Sequence, residues 1–176
     1  MPQASQAKLK KGVHGDVPEG EGWFVTNLSK ASWLEHKKFG GGCRFEGDAR
    51  FPHFGINVRV LMPGQPNCHY HLEGEQEDFL VLQGEAKVIV EGEEIPLKTW
   101  DFVHCPAGTR HVFVGAGKGP CVILMVGSRT GGNLHYPVDP AAAKWKACAP
   151  VETDSRDVSY KDCGTWEPAA PKWPPK

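Results

Sequence analysis

Apolar and polar residues fall into a regular beat at Phe54. Phe54, Ile56, Val58, Val60 and Met62 are separated by Gly55, Asn57, Arg59 and Leu61. A period of two is that of an extended strand, and Pro63-Gly64 ends it. Further short apolar runs come at close intervals: Phe79 to Gln83, Glu85 to Val90, Glu94 to Leu97, Asp101 to Cys105, His111 to Val114 and Cys121 to Val126. Glu91-Gly92-Glu93 reads as a hairpin turn, and Pro106-Ala107-Gly108 as a tight turn in which Pro presets φ and Gly supplies a left-handed position. Seven or eight short strands at this spacing predict a sandwich or barrel.

The beat is weaker on either side. Residues 1 to about 20 are polar and punctuated by Gly and Pro, which predicts a flexible or loosely docked arm. Ser32-Trp33-Leu34-Glu35 could open one helical turn. Gly40-Gly41-Gly42 reads as a breaker, with a short strand over Cys43 to Gly47. Past Gly127, Asp139 to Ala147 predicts a short helix, with Asp as N-cap and Pro in the first turn. The chain ends in a segment rich in Pro and Trp that cannot build a core of its own and either stays mobile or lies across another surface. The expected division is an arm with flanking strands over 1–53, a β-barrel core over 54–128, and a helix with a tail over 129–176.

Composition narrows this little further. The chain has 176 residues, enough for one domain with a sizeable core. Its 21 Gly and 15 Pro favour a β-rich chain with many turns. A formal charge of -1 gives no electrostatic case for nucleic acid or an anionic membrane. No apolar run approaches the roughly 20 residues of a membrane span, and the first residues lack the apolar centre of a signal peptide. The expectation is a cytoplasmic protein with six free cysteines, none in a C-x-x-C pair.

The chemistry is concentrated between Asn67 and Gly84. His69 and His71 stand two apart, and in a strand both would face one way. Carboxylates come next at Glu73, Glu75 and Glu77. Imidazole and carboxylate together suit a divalent transition metal. Parity does not choose between Glu75 and Glu77, but the apolar run Phe79-Leu80-Val81-Leu82 sets a register that favours Glu77. Histidines on ordinary strand positions, with no metal, are the plainer alternative. A second cluster runs from Trp100 to Val114, where Pro106-Ala107-Gly108 returns His111 toward the sheet. Beside it, His104 could serve the cavity as acid or base, although a hydrogen-bonded structural histidine is the simpler reading. Arg59 could meet a substrate carboxylate if it points inward, whereas a solvated strand position asks for nothing more. Glu73 and Glu75 read as loop carboxylates, and His14, His36, His53 and His135 carry no signal.

Together the two clusters resemble the paired motifs of the cupin superfamily. The first is His69-Tyr70-His71, then Glu77 with six residues before Gly84. The second is Pro106-x-Gly108-x-x-His111. Five residues separate His71 from Glu77, where three or four are usual, and Trp100 and Gly115 replace the usual Gly and Asn. Gln76 to Leu82, Trp100 to Pro106 and Tyr136-Pro137-Val138-Asp139 resemble, more narrowly, bacterial cupin-domain proteins of unassigned function. The resemblance implies an all-β fold: a single jelly-roll barrel with an N-terminal extension, a short C-terminal helix and a tail. It implies a divalent metal (Fe, Mn, Ni or Zn) held by His69, His71, Glu77 and His111. It further implies a metal-dependent oxygenase, isomerase or lyase working on a small polar molecule, or a non-catalytic barrel binding a sugar or acid. A homodimer is expected with either.

Overall fold

The computed structural model describes residues 3–171. The chain opens with an antiparallel hairpin, β1 (Lys8–Gly12) and β2 (Gly15–Glu19). Single bridges from Gln6 to Trp23 and from Asp16 to Ala31 fasten this hairpin to the segment leading into the barrel. Ala7 is buried and Gly47 packs against the Pro18 carbonyl, so the predicted loose arm is a docked one.

Next come β3 (Trp33–His36) and β4 (Gly40–Cys43), both against expectation. The single helical turn predicted from Ser32 is instead a strand. Trp33 is buried, its indole N–H donates to the Leu28 carbonyl at 2.9 Å, and the backbone pairs with β4. Tertiary pairing overrides a weak local capping signal. The glycine run is a strand too, buried at all four positions. At Gly42 a Cβ would sit 3.0 Å from both the Cδ and a terminal nitrogen of Arg59, so a bare backbone there makes room for the arginine across the ladder.

From here the strands match the sequence pattern closely: β5 (Phe54–Leu61), the short β6 (Leu72–Glu73), β7 (Glu77–Gln83), β8 (Glu85–Val90), β9 (Glu93–Lys98), β10 (Phe102–Cys105), β11 (His111–Ala116) and β12 (Cys121–Ser128). A two-residue β13 (Leu134–His135) pairs with β6. The helix α1 (Pro140–Ala143) is capped by Asp139, whose carboxylate accepts from the amides of Ala141 and Ala142. It is one turn long, shorter than the predicted span, because Lys146 takes a positive φ of 56° and turns the chain away. A second short helix, α2 (Arg156–Tyr160), comes after it. The tail then contributes β14 (Glu167–Ala169), which pairs antiparallel with β3. The part of the tail beyond residue 171 lies outside the described residues.

Every strand pairing is antiparallel. One sheet runs β10-β7-β12-β5-β4-β3-β14 and the other β11-β8-β9. Leu61, Phe79, Val81, Ile123 and Met125 from the first face Ala86, Val88, Leu97 and Phe113 from the second, forming the inner core. This is the two-sheet jelly roll. Part of each outer face is covered as well. Leu28 and Ala31 pack over Val58 and Val122, and Ala142 and Ala147 pack over Ile89, Val112 and Val114. No helix among the described residues is long and apolar enough to cross a membrane.

In β5 the alternation divides the residues differently from a simple core rule. Val58 and Val60 belong to the outer cluster. Asn57 and Arg59 lie opposite Met125 and Ile123 of β12, which in turn lie opposite Phe79 and Val81 of β7. Gly127 lies opposite Glu77 on the same rows. Cross-strand neighbours share a face, so Asn57, Arg59 and Glu77 all look into the barrel.

Candidate metal centre

Three elements bring three side chains together. The extended backbone at His71 is bonded to that of His111, with His71 N–H donating to the His111 carbonyl at 3.2 Å and the reverse bond at 2.8 Å. His111 is set at the start of β11 by the turn at Pro106, in which Gly108 takes φ 84° and donates to the Glu73 carbonyl. Glu77 opens β7. One ligand atom from each of His71, Glu77 and His111 lies within 4.8 Å of the others. His71 and His111 are buried, and Phe79 packs edge-on to the His111 ring to give the centre an apolar wall.

The hydrogen bonds of the two rings fix what each offers. His71 Nδ1 lies 2.8 Å from the His69 carbonyl, and His111 Nδ1 lies 3.0 Å from the Thr109 carbonyl. A carbonyl only accepts, so both Nδ1 atoms carry a proton, and each Nε2 is left to face Glu77, with a lone pair whenever its ring is neutral. These Nε2 atoms stand 4.0 and 3.2 Å from Glu77 Oε2. That oxygen is buried and has no hydrogen-bond partner among the described residues. With both rings neutral, three acceptors aimed at one point repel unless a cation, proton or metal, lies among them. Imidazoles whose far nitrogen donates to a carbonyl are the usual support for a metal.

The electrostatics agree. Burial pulls His111 down, but the Cys105 side chain and the Glu77 carboxylate beside it outweigh this and raise its pKa to about 10. For His71, burial is likewise outweighed by Cys68, Glu73 and Glu77, and the pKa rises well above 6.5. The pocket favours positive charge in either form, whether proton or metal.

The four histidine and glutamate positions read from the sequence do not all meet. His71, Glu77 and His111 converge, while His69 turns elsewhere. Its ring stacks on Tyr160 at 4.5 Å, Nδ1 meets Ser159 Oγ at 2.9 Å, and Nε2 meets the Lys38 ammonium at 2.7 Å. Burial and the Lys38 charge lower its pKa to about 4, so the ring is neutral and accepts from Lys38. Residues 67–70 are not regular strand, so the rule that sends alternate side chains one way does not hold there. Glu75 accepts from the amides of Thr130 and Gly131 and ties down that loop.

His104 bonds Asp78 at 2.7 Å on the exposed side of the sheet, away from the barrel interior. Arg59, expected in solvent, lies half-buried with its guanidinium 4.3 Å from the Trp166 ring. All six cysteines are free. Cys105 is core, and Cys68 lies 3.6 Å from His71 Nδ1. Glu73, read as a loop carboxylate, stands 3.6 Å from His71 Nε2. Its place two residues after His71 was the available signal. Nothing in the pattern pointed to Lys38 or Tyr160.

Residues 57–127 match the cupin domain family. Among solved structures, the chain is similar to a sugar phosphate isomerase from a cupin superfamily from Silicibacter pomeroyi DSS-3. Identity is 31% over 55% of this chain and 64% of that one, with a TM-score of 0.49. It is also similar to the polyketide cyclase RemF from Streptomyces resistomycificus, at 14% identity over 69% of this chain and 92% of that one, with a TM-score of 0.56. The second likeness is one of fold, and the chain spans under two thirds of the length of the first protein. No curated protein matches the sequence. The two-sheet jelly roll, the paired motifs around His71 and His111, and the family match agree that residues 57–127 form a cupin domain.

Proposed function

We propose that the barrel holds a divalent metal through His71, Glu77 and His111 and works as a metal-dependent enzyme on a small polar organic molecule. The observation that carries this reading is Glu77 Oε2, buried without a hydrogen-bond partner among the described residues and facing the Nε2 atoms of two histidines. Two nitrogens and a carboxylate oxygen fit Fe, Mn, Ni or Zn. Bound there, the ion supplies Lewis acidity toward a carbonyl or enolate oxygen, and iron would add redox chemistry.

The chain's own groups supply the rest. Phe79 and Phe113 pack at 4.4 Å and keep water from the inner wall. The Glu73 carboxyl is held below its usual pKa, chiefly by its hydrogen bond with His71, and stays ionised. It lines the mouth of the centre and offers an oxygen that can take a proton from a bound molecule.

The test is the metal content of protein purified without a tag or chelator, for the native chain and for His71→Ala and Glu77→Gln. Near-stoichiometric metal that falls at least tenfold in both variants is the expected result. Iron would direct the search to oxygen uptake; zinc, manganese or nickel would direct it to isomerase and lyase assays. A native chain that takes up none of the four ions after reloading would defeat this reading and leave a non-catalytic ligand-binding barrel.

A further inference from the structure

A cavity of about 530 Å³ opens beside the metal centre. Glu73 lines it and stands 3.6 Å from His71 Nε2, so the cavity and the centre adjoin. Arg44, Arg59 and Arg156 line it too, and the same three line a neighbouring cavity of about 150 Å³. They come from three separate places in the chain: just after β4, within β5, and at the start of α2.

Their charge is not balanced by the protein. Arg129, also on the cavity, is held by both oxygens of Glu46 at 2.5 and 3.0 Å. Arg44, Arg59 and Arg156 have no carboxylate partner among the described residues. Arg59 is set in place from both sides, by the Trp166 ring and by the bare backbone of Gly42, and none of its five donors is paired among the described residues. Burial, with the nearby Arg44 and Arg156 charges, lowers its pKa to about 10, which leaves it charged near neutral pH. Arg59 is half-buried, while Arg44 and Arg156 are exposed on the same cavity; guanidinium groups gathered there without a carboxylate favour an anion. A second signal lies in the same space: Asn57 Oδ1 is buried and has no hydrogen-bond partner among the described residues. It is an acceptor waiting for a donor, as a hydroxyl would be.

A carboxylate brings one charge and two oxygens in a plane. A phosphomonoester brings close to two charges and three acceptor oxygens, which suits three cationic forks better. We propose that Arg44, Arg59 and Arg156 form the phosphate-binding end of the substrate cavity, and that the substrate is a small hydroxylated phosphomonoester whose body passes Asn57 toward Glu73. The identity of the reacting end rests on the metal reading above; the phosphate end does not.

The two are separated by calorimetric titration of inorganic phosphate and of acetate into the native protein and into Arg59→Gln, Arg156→Gln and Glu77→Gln. Saturable phosphate binding is expected, at least tenfold tighter than acetate. It should weaken at least tenfold in each arginine variant and stay within threefold in Glu77→Gln. Arg156 is exposed, so its variant keeps the test open should Arg59→Gln fail to fold. Phosphate binding that is absent in the native protein, or unchanged in Arg156→Gln, would overturn the proposal. So would binding lost in Glu77→Gln alone, which would put the phosphate on the metal, or acetate binding as tightly as phosphate, which would make the group a carboxylate. Phosphate bound through the arginines by a protein that takes up no metal would sustain the anion site and remove only the metal reading.

Discussion

His69 and His71 differ by two positions in sequence and by everything in environment. One ring lies against Tyr160 with Lys38 at its Nε2, and the other presents its Nε2 to Glu77. Replacing them separates their roles. His71→Ala and His111→Ala remove a lone pair from the centre and should lose metal at least tenfold. His69→Ala should retain it at native stoichiometry while lowering the melting temperature, since a buried stacked ring is lost. Elemental analysis beside thermal melts reads both, and metal lost in His69→Ala would place that ring in the ligand set. At this scale the sequence was informative wherever the backbone is extended. Glu77 stands where the Phe79-Leu80-Val81-Leu82 register put it. His69 could not be read, because the irregular backbone at 67–70 breaks parity. Arg59 could not be read either: the sequence cannot say which face of β5 is covered by Leu28 and Ala31 and which lines the cavity.

Among the elements, the barrel strands were legible because each carries its own period and is closed by its own turn, as at Pro63-Gly64 and Glu91-Gly92. The strands β3 and β4 were not, since a tryptophan segment and three glycines have no period. They are held as strands by pairing with each other, with β5 and with β14. The loop after β4 is fastened in a way that depends on pH. Burial raises the Glu46 carboxyl, but hydrogen bonds from Arg129 and the Phe51 amide outweigh it and hold it below its usual 4.5. A carboxyl whose native pKa lies below its unfolded one contributes stability above the unfolded value and loses it as pH falls through the native value. Glu46→Gln should therefore be less stable than the native chain by about 1 kcal/mol at neutral pH. That gap should narrow as the pH falls below 4.5 and be lost once the native carboxyl is protonated. Melting curves at both pH values check it, and a gap independent of pH would mean that the charge contributes nothing.

For the whole molecule, the jelly roll was legible from strand count and spacing, and three of the four motif residues, His71, Glu77 and His111, come together inside it. The outer covering was not, because it is made by segments that look like linkers. Leu28 and Ala31 cover part of one face of the barrel, and Ala142 and Ala147 cover part of the other. A charge balance near zero likewise conceals the arginines, whose effect arises only where the fold collects them. The phosphate end of the cavity is a property of the assembled chain, drawing on residues as far apart as Gly42 and Trp166.

The pairing of Glu167 with Glu35 also bears on how the chain acquires its shape. β8 and β9 are joined by a two-residue turn and can zip together in microseconds, whereas β3 and β14 must find each other across most of the polypeptide. Pulse-labelled hydrogen exchange should protect the amides of β8 and β9 early and those of β3 and β14 last, and simultaneous protection would refute this order. On that schedule the seat of Arg59 is completed only when the Trp166 end of the chain arrives. Ligand capture at the arginines would then report the final act of folding.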